Sequence, residues 1–223
     1  MVALVLRVML ALAAIPLMLS IAYNVVNPVS TLMLLRWVEG KRVERVWTPI
    51  EQMSPALVRT VIASEDASFC SHWGVDLDEM RAAIDKADEL DDARGASTIP
   101  MQIAKNLFLW PGRALIRKAF EIPLAFWLDL VVSKRRLIEI YLNIAEWGPN
   151  GEFGVEAGAR RAFGIPAARV DARQAALLAV MLPNPRRRDA GNPSGGVERL
   201  ASRLQARVPR EGPELTACLG PLR

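Results

Sequence analysis

The sequence predicts a mainly α-helical body behind one apolar N-terminal helix, and three observations carry that prediction. No alternation of apolar and polar residues runs beyond four positions, which leaves strands little support. From Pro55 to Leu182, apolar residues recur at helical spacing. Between Arg7 and Arg36 there is no charged residue at all. The 223 residues suffice for one ordinary domain with an anchor or a tail, and not for a second catalytic domain. The division expected is 1–36 as membrane anchor and juxtamembrane segment, 37–190 as the folded body, and 191–223 as a C-terminal tail packed on it.

Val8 to Val26 is uncharged and long enough to cross about 30 Å of hydrocarbon as a helix, with Pro16 tolerable there. Ser20-Ile21-Ala22 also fits a signal-peptide cleavage site, but apolar residues continue through Val25, Val26 and Leu32 to Leu35, which favours retention. Either way the body is exported, and Arg7 puts the N-terminus inside. Ser54-Pro55 starts a helix through Ala63. Leu77 to Leu90 follows, with Met80, Ala83, Ile84 and Ala87 on one face. Ile116 to Trp147 reads as one long helical stretch bent near Pro123. Gly148 to Gly154 is a loop, Val155 to Phe163 a short helix ended by Gly164, and Asp171 to Leu182 a helix stopped by Pro183.

Composition excludes several chemistries. Beyond Arg7 the chain has 27 Lys and Arg against 24 Asp and Glu, too even a balance to argue for nucleic acid. One His excludes most zinc sites, and two Cys cannot build a thiolate cluster. The sequence therefore requires no cofactor.

Three clusters could carry chemistry. In the first, residues 65–76, Glu65 and Asp66 directly follow an apolar helical turn, then come Phe69, Cys70 and His72. A carboxylate at the end of such a helix is partly desolvated, which raises its pKa and suits a general base. The plain alternative is a pair of surface acids capping the next helix. In the second, Ser97 and Thr98 lead into a helix bearing Gln102, Lys105 and Asn106, where free N–H groups and the dipole favour an anion. The glycine spacing is no Walker loop. The third gathers Arg113, Arg117, Lys118 and Glu121, with Ser133 and Lys134 on a further basic turn. Arg117 and Glu121 stand four apart and would pair on a helix face, yet three cations beside one acid also suit a phosphate-bearing substrate.

In their order along the chain these segments resemble a known family. EDASFCSHWGVD, GASTIPMQIAKNLFL, RKAFE, SKRRLIEIYLN and GEFGVEAGARRAFG are similar to the five motifs of the peptidoglycan glycosyltransferases. LFLWPGR and YLNIAEWGP are similar to the monofunctional biosynthetic transglycosylases of Gram-negative bacteria. The resemblance covers about Trp47 to Asp189. Ala96 stands where the family has a second glycine, and Pro100-Met101 replaces a hydroxyl–glutamine pair, so a substrate contact at Met101 is lost while Gln102 keeps its match. Gly158 stands where alanine is usual.

The resemblance implies a lysozyme-like helical fold, a single-pass protein of the inner membrane with its catalytic domain in the periplasm, and polymerisation of lipid II onto a growing glycan strand. It makes Glu65 the base and Glu121 a second catalytic glutamate that orients cations or holds a divalent metal, Mg or Mn. It puts Asp66, Phe69, His72, Ser97, Thr98, Gln102, Lys105, Asn106, Arg113, Arg117, Lys118, Ser133 and Lys134 on the substrate. Proteins of cell-wall synthesis or division would be partners. A lytic transglycosylase shares the fold but has no use for a cationic patch, and an anchored scaffold would not need Glu65. Penicillin-binding signatures are absent. In an exported chain, two cysteines suggest a bridge from Cys70 to Cys218, tying down a tail otherwise rich in Pro and Gly; two separate thiols are the alternative.

Overall fold

A computed structural model describes residues 1–85, 97–110 and 114–222, and most of them are helical. The leading helix α1 (Val2–Ala22) is followed by α2 (Thr31–Val38), whose N-cap Ser30 accepts from the Met33 amide. Next come α3 (Pro55–Glu65), α4 (Leu77–Asp85), α5 (Ile99–Phe108) and α6 (Ala114–Val131). The chain continues through α7 (Lys134–Ile144), α8 (Val155–Phe163), α9 (Ala172–Met181) and α10 (Gly195–Arg207). Among the described residues the only strands are β1 (Glu44–Arg45) and β2 (Glu152–Phe153). They run parallel, Glu44 opposite Glu152 and Arg45 opposite Phe153.

The mainly helical expectation holds, with local corrections. The stretch expected to be one bent helix is two, because Ser133 ends it. Its hydroxyl accepts from the Arg136 amide and caps α7, whereas Pro123 sits inside α6 without ending it. The leading helix begins before Val8 and stops at Ala22, so Val25 and Val26 lie in the turn after it. The expected helix to Leu90 is seen through Asp85, and the rest lies outside the described residues. Among the described residues no helix is long and apolar enough to cross a membrane.

Helix α5 lies between α6 and α7, α3 packs on α9, and α10 covers both α3 and α9. Trp147, Tyr141, Phe69 and Phe153 are fully buried at the centre. Gly158 makes room for Trp147, since a Cβ there would sit 2.6 Å from the Trp147 Cβ. On the other flank α1 rests against α6, where Trp127 donates to the Leu17 carbonyl. The connector after α1 is stitched to α7: Arg136 donates to the carbonyls of Tyr23 and Val26 and to the Asn27 side chain.

The C-terminal segment is better held than its composition suggests. Helix α10 has an amphipathic pattern and a Ser194 cap that proline and glycine counting hides. Of the two alternatives for the cysteines, the bridge is the one present: Cys70 and Cys218 are joined across a separation of 148 residues. Arg135 and Arg59 donate to the carbonyls of Leu219 and Gly212 nearby.

Candidate active site

Glu65 is the last residue of α3, and Leu57, Val58, Val61 and Ile62 anchor that helix in the core. Its carboxylate projects towards α5 and α7. There the Gln102 amide donates to Oε2 at 3.0 Å, and the Tyr141 hydroxyl lies 3.5 Å from the same oxygen while donating to Gln102 Oε1 at 3.1 Å. Burial raises the Glu65 pKa; the bonds from Gln102 and Tyr141 and the charge of Lys105 work against it. A desolvated carboxylate with neutral partners is equipped to receive a proton.

Asp66 does different work. It is buried, its Oδ2 accepts from the Ile99 amide at 2.8 Å, and both its oxygens lie within 3.0 Å of His72 Nε2. A carboxylate on the first amide of α5 satisfies an end group and complements the dipole, so Asp66 fixes the helix that carries Gln102, Lys105 and Asn106. Thr98 completes that end: its hydroxyl accepts from the Met101 amide and donates to the Gly74 carbonyl at 2.6 Å. Gly74 has φ of +82°, and a Cβ there would lie 2.4 Å from the Ala125 carbonyl, so only glycine brings this loop against α6.

Lys105, about one helical turn beyond Gln102, makes no hydrogen bond or ion pair among the described residues. Burial lowers its pKa, and Glu121 opposes that. It faces two cavities. One, of about 130 Å³, is lined by Ser30, Gln102, Asn106, Tyr141 and Glu146; the other, of about 300 Å³, by Thr31, Asn106, Trp110 and Arg117. Leu32 of α2 roofs both, and also a third of about 470 Å³ that holds Arg36, Lys41 and Arg186. A groove with cations at both ends therefore passes the Gln102–Tyr141 pair that holds Glu65. At one end Arg117 is bonded to Glu121, whose side chain is 3% exposed. At the other, Arg36 and Arg186 both reach Glu146 at 3.4 Å.

Of the residues expected on substrate, Gln102, Lys105, Asn106 and Arg117 line this groove. Phe69 does not: it is fully buried, with the Lys134 ammonium 4.7 Å from its ring centre. Lys134 bonds Asp129 and the His72 carbonyl, and Ser133 caps α7, so both serve architecture here. Asp66, His72 and Thr98 likewise support α5. Ser97 offers its carbonyl to Gln102 at 3.5 Å, and Lys118 is half-buried on α6. Arg113 lies outside the described residues. Met101 points away from the groove into an apolar cluster with Val75 and Ala125.

Tyr141, Arg36, Glu146 and Arg186 were missed by sequence reasoning. Tyr141 sits within the YLN motif and could have been found there; the other three are far apart in the chain and only folding brings them together. As a metal ligand Glu121 does not fit well, since its oxygen is taken by a guanidinium, and among the described residues no three His, Cys, Asp or Glu side chains converge.

The chain also has clear relatives. A family model described as transglycosylase matches residues 32–208. A protein of Rhodopseudomonas palustris named biosynthetic peptidoglycan transglycosylase is 56% identical over 96% of this chain and 90% of its own length. Proteins of the same name from Agrobacterium fabrum and Brucella suis are 50% and 48% identical, over 93% and 96% of this chain and 92% and 96% of their own lengths.

Proposed function

The chain belongs to the transglycosylase family and is a peptidoglycan glycosyltransferase; we propose that it polymerises lipid II, with Glu65 as the general base. In this reading Glu65 takes the proton from the 4-hydroxyl of the acceptor sugar as that oxygen bonds to C1 of the donor. The bond from C1 to the undecaprenyl pyrophosphate breaks, and the leaving group carries away the electron pair. A base on one face and a leaving group on the other give inversion and a β-1,4 linkage. Lys105 and Arg117 would hold the departing pyrophosphate, with Glu121 positioning Arg117.

The single observation behind this reading is Lys105: a largely buried cation lacking a hydrogen-bonded partner among the described residues, facing the cavities beside Glu65. Leaving a charge so placed is costly unless an anion arrives to meet it. The second cationic end suits a second pyrophosphate, as expected where donor and acceptor are both lipid-linked. Any divalent cation would come with the pyrophosphate, and no step needs one from the protein.

We also place the protein at the inner membrane, with the body on the periplasmic side. Support comes from the sequence of α1, whose 21 residues carry one charge, Arg7, so that the helix suits an apolar environment. Trp110, Ile116, Phe120, Phe126 and Leu130 add exposed apolar side chains on and before the helix against which α1 packs. Such a face suits a substrate with a long lipid tail.

The test is purified protein with lipid II, scored for glycan polymer. Polymer is expected. Absence of polymer together with cleavage of glycan lacking pyrophosphate would replace this reading with a lytic one. For the anchor, protein lacking residues 2–22 should polymerise bilayer-embedded lipid II poorly; full activity would remove α1 from that role.

A further inference from the structure

The chain is electrically lopsided. Residues 160–223 contain twelve Arg and no Lys against five Asp and Glu, whereas residues 1–159 have more acids than bases. Three of those arginines frame a cavity of about 380 Å³ that the chemistry above does not use. Arg188, Arg203 and Arg207 line it with Ser64, Val180, Pro183, Leu200 and Leu204, and no acid is among the lining residues. Two of the guanidiniums are drawn inward by backbone carbonyls, Arg188 by Val180 at 2.6 Å and Arg207 by Ala63. Arg207 also lies 3.7 Å from Glu211, and Arg203 makes no hydrogen bond or ion pair among the described residues.

Its place in the fold narrows what it could hold. Ser64 immediately precedes Glu65, and the segment carrying Pro183 also carries Leu182 and Pro185, which line the groove beside Tyr141. The cavity therefore backs onto the groove. It lies where α10 covers α3 and α9, whereas α1 packs on α6. A phosphate attached to a membrane lipid belongs with the apolar face, but the peptides on a glycan strand extend from the sugars. Planar guanidiniums in a partly apolar recess are suited to carboxylates, which they can grip with two parallel bonds.

We propose that the cavity of Arg188, Arg203 and Arg207 is a carboxylate-binding subsite that holds the peptide stem of the glycan beside the Glu65 groove. This rests on the reading of the groove as a lipid II polymerase. The subsite would make the enzyme prefer peptide-bearing strands and keep the strand in register between additions.

The test uses full-length protein in detergent and labelled, uncrosslinked glycan strands in three forms: with intact peptides, with peptides removed, and with peptide carboxylates converted to amides. The wild type should bind intact strands about tenfold or more tightly than either other form, the scale of a charge-assisted contact in a defined site. Arg203→Glu should lose that preference, while Arg199→Glu, the same charge change on α10 outside the cavity, should keep it. Arg203 has no partner to strand, so the variant should melt with the wild type; if it does not fold, Arg203→Gln must lose the preference instead. Equal binding of intact and amidated strands, an undiminished preference in the Arg203 variant, or an equal loss in Arg199→Glu would overturn the proposal. So would vesicles of anionic phospholipid displacing the strands through Arg203. Should the wild type bind strands with this preference yet make no polymer from lipid II, the functional reading fails and the subsite stands. Should it polymerise lipid II without the preference, the subsite fails and the functional reading stands.

Discussion

Two glutamates act on Lys105, the half-buried Glu65 and the buried Glu121, and they keep very different company. Glu65 meets neutral donors, the Gln102 amide and the Tyr141 hydroxyl, at the end of α3, and those two donors line the groove. Glu121 is in the body of α6 and is bonded to the Arg117 guanidinium. The first carboxylate is free to accept a proton, because no fixed cation is hydrogen-bonded to it. The second is occupied with placing a cation. The residue type is the same in both, so exposure and partner together decide the role.

The sharpest way to break that comparison is to remove each charge in turn. Glu65→Gln keeps the shape and loses the base, so polymerisation of lipid II should fall about 10²–10⁴-fold with little change in melting. Glu121→Gln should keep a larger share of the rate, because the groove retains Lys105 and Arg117. Initial rates of polymer formation check both. If Glu65→Gln kept more than about a tenth of the wild-type rate while Glu121→Gln lost nearly all of it, the two roles would have to be exchanged.

Stability separates the pair in the other direction. Arg117→Ala would leave the Glu121 carboxylate buried without its guanidinium, which costs about 3 kcal/mol or more. For a chain of this size that is a fall in melting temperature of roughly 10 °C. Lys105→Ala strands no hydrogen-bonded partner and should lose activity with a much smaller thermal change. Thermal melts of the two variants side by side are the measurement, and equal losses would mean that Lys105 is as structural as Arg117.

The spacing of Arg117 and Glu121 announced their pairing, since residues four apart on a helix are neighbours. It did not announce that the pair is buried, because burial depends on α5 packing across α6. The same limit explains Asp66. Its adjacency to Glu65 suggested a shared task on substrate, whereas a turn of backbone after α3 sends it under α5. Glu65, Gln102 and Lys105 were legible because an apolar run ends at the first and one helical face carries the others. Tyr141 was within reach through its YLN motif, but Arg36, Glu146 and Arg186 were not, being assembled from segments remote in sequence from that cluster. In the fold, the Ser133 cap outweighed the apolar stripe on either side of it. Helix α10 hid behind the Pro and Gly around it.

The smallest expected effect refines what neutral company does for Glu65. Burial holds its carboxyl above the ordinary range, and the Gln102 and Tyr141 bonds pull it part of the way back. Those bonds favour the charged form, so losing one raises the pKa further. The base acts as the carboxylate, so activity rises with pH through that pKa. Gln102→Met should therefore move the acidic limb of kcat/KM to higher pH. Tyr141→Phe should do so by less, because its hydroxyl is the more distant donor and points mainly at Gln102. Lys105 should govern the opposite limb. Burial lowers its pKa, so it loses its charge earlier in alkali than an exposed lysine, and activity falls with it. Lys105→Arg replaces it with a cation that does not titrate in this range, so the alkaline limb should move up while the acidic limb stays. The pH profiles of the three variants decide the matter through the position of each limb, whatever happens to the plateau. An acidic limb that ignored Gln102→Met would mean that Glu65 is not the group whose ionisation sets it.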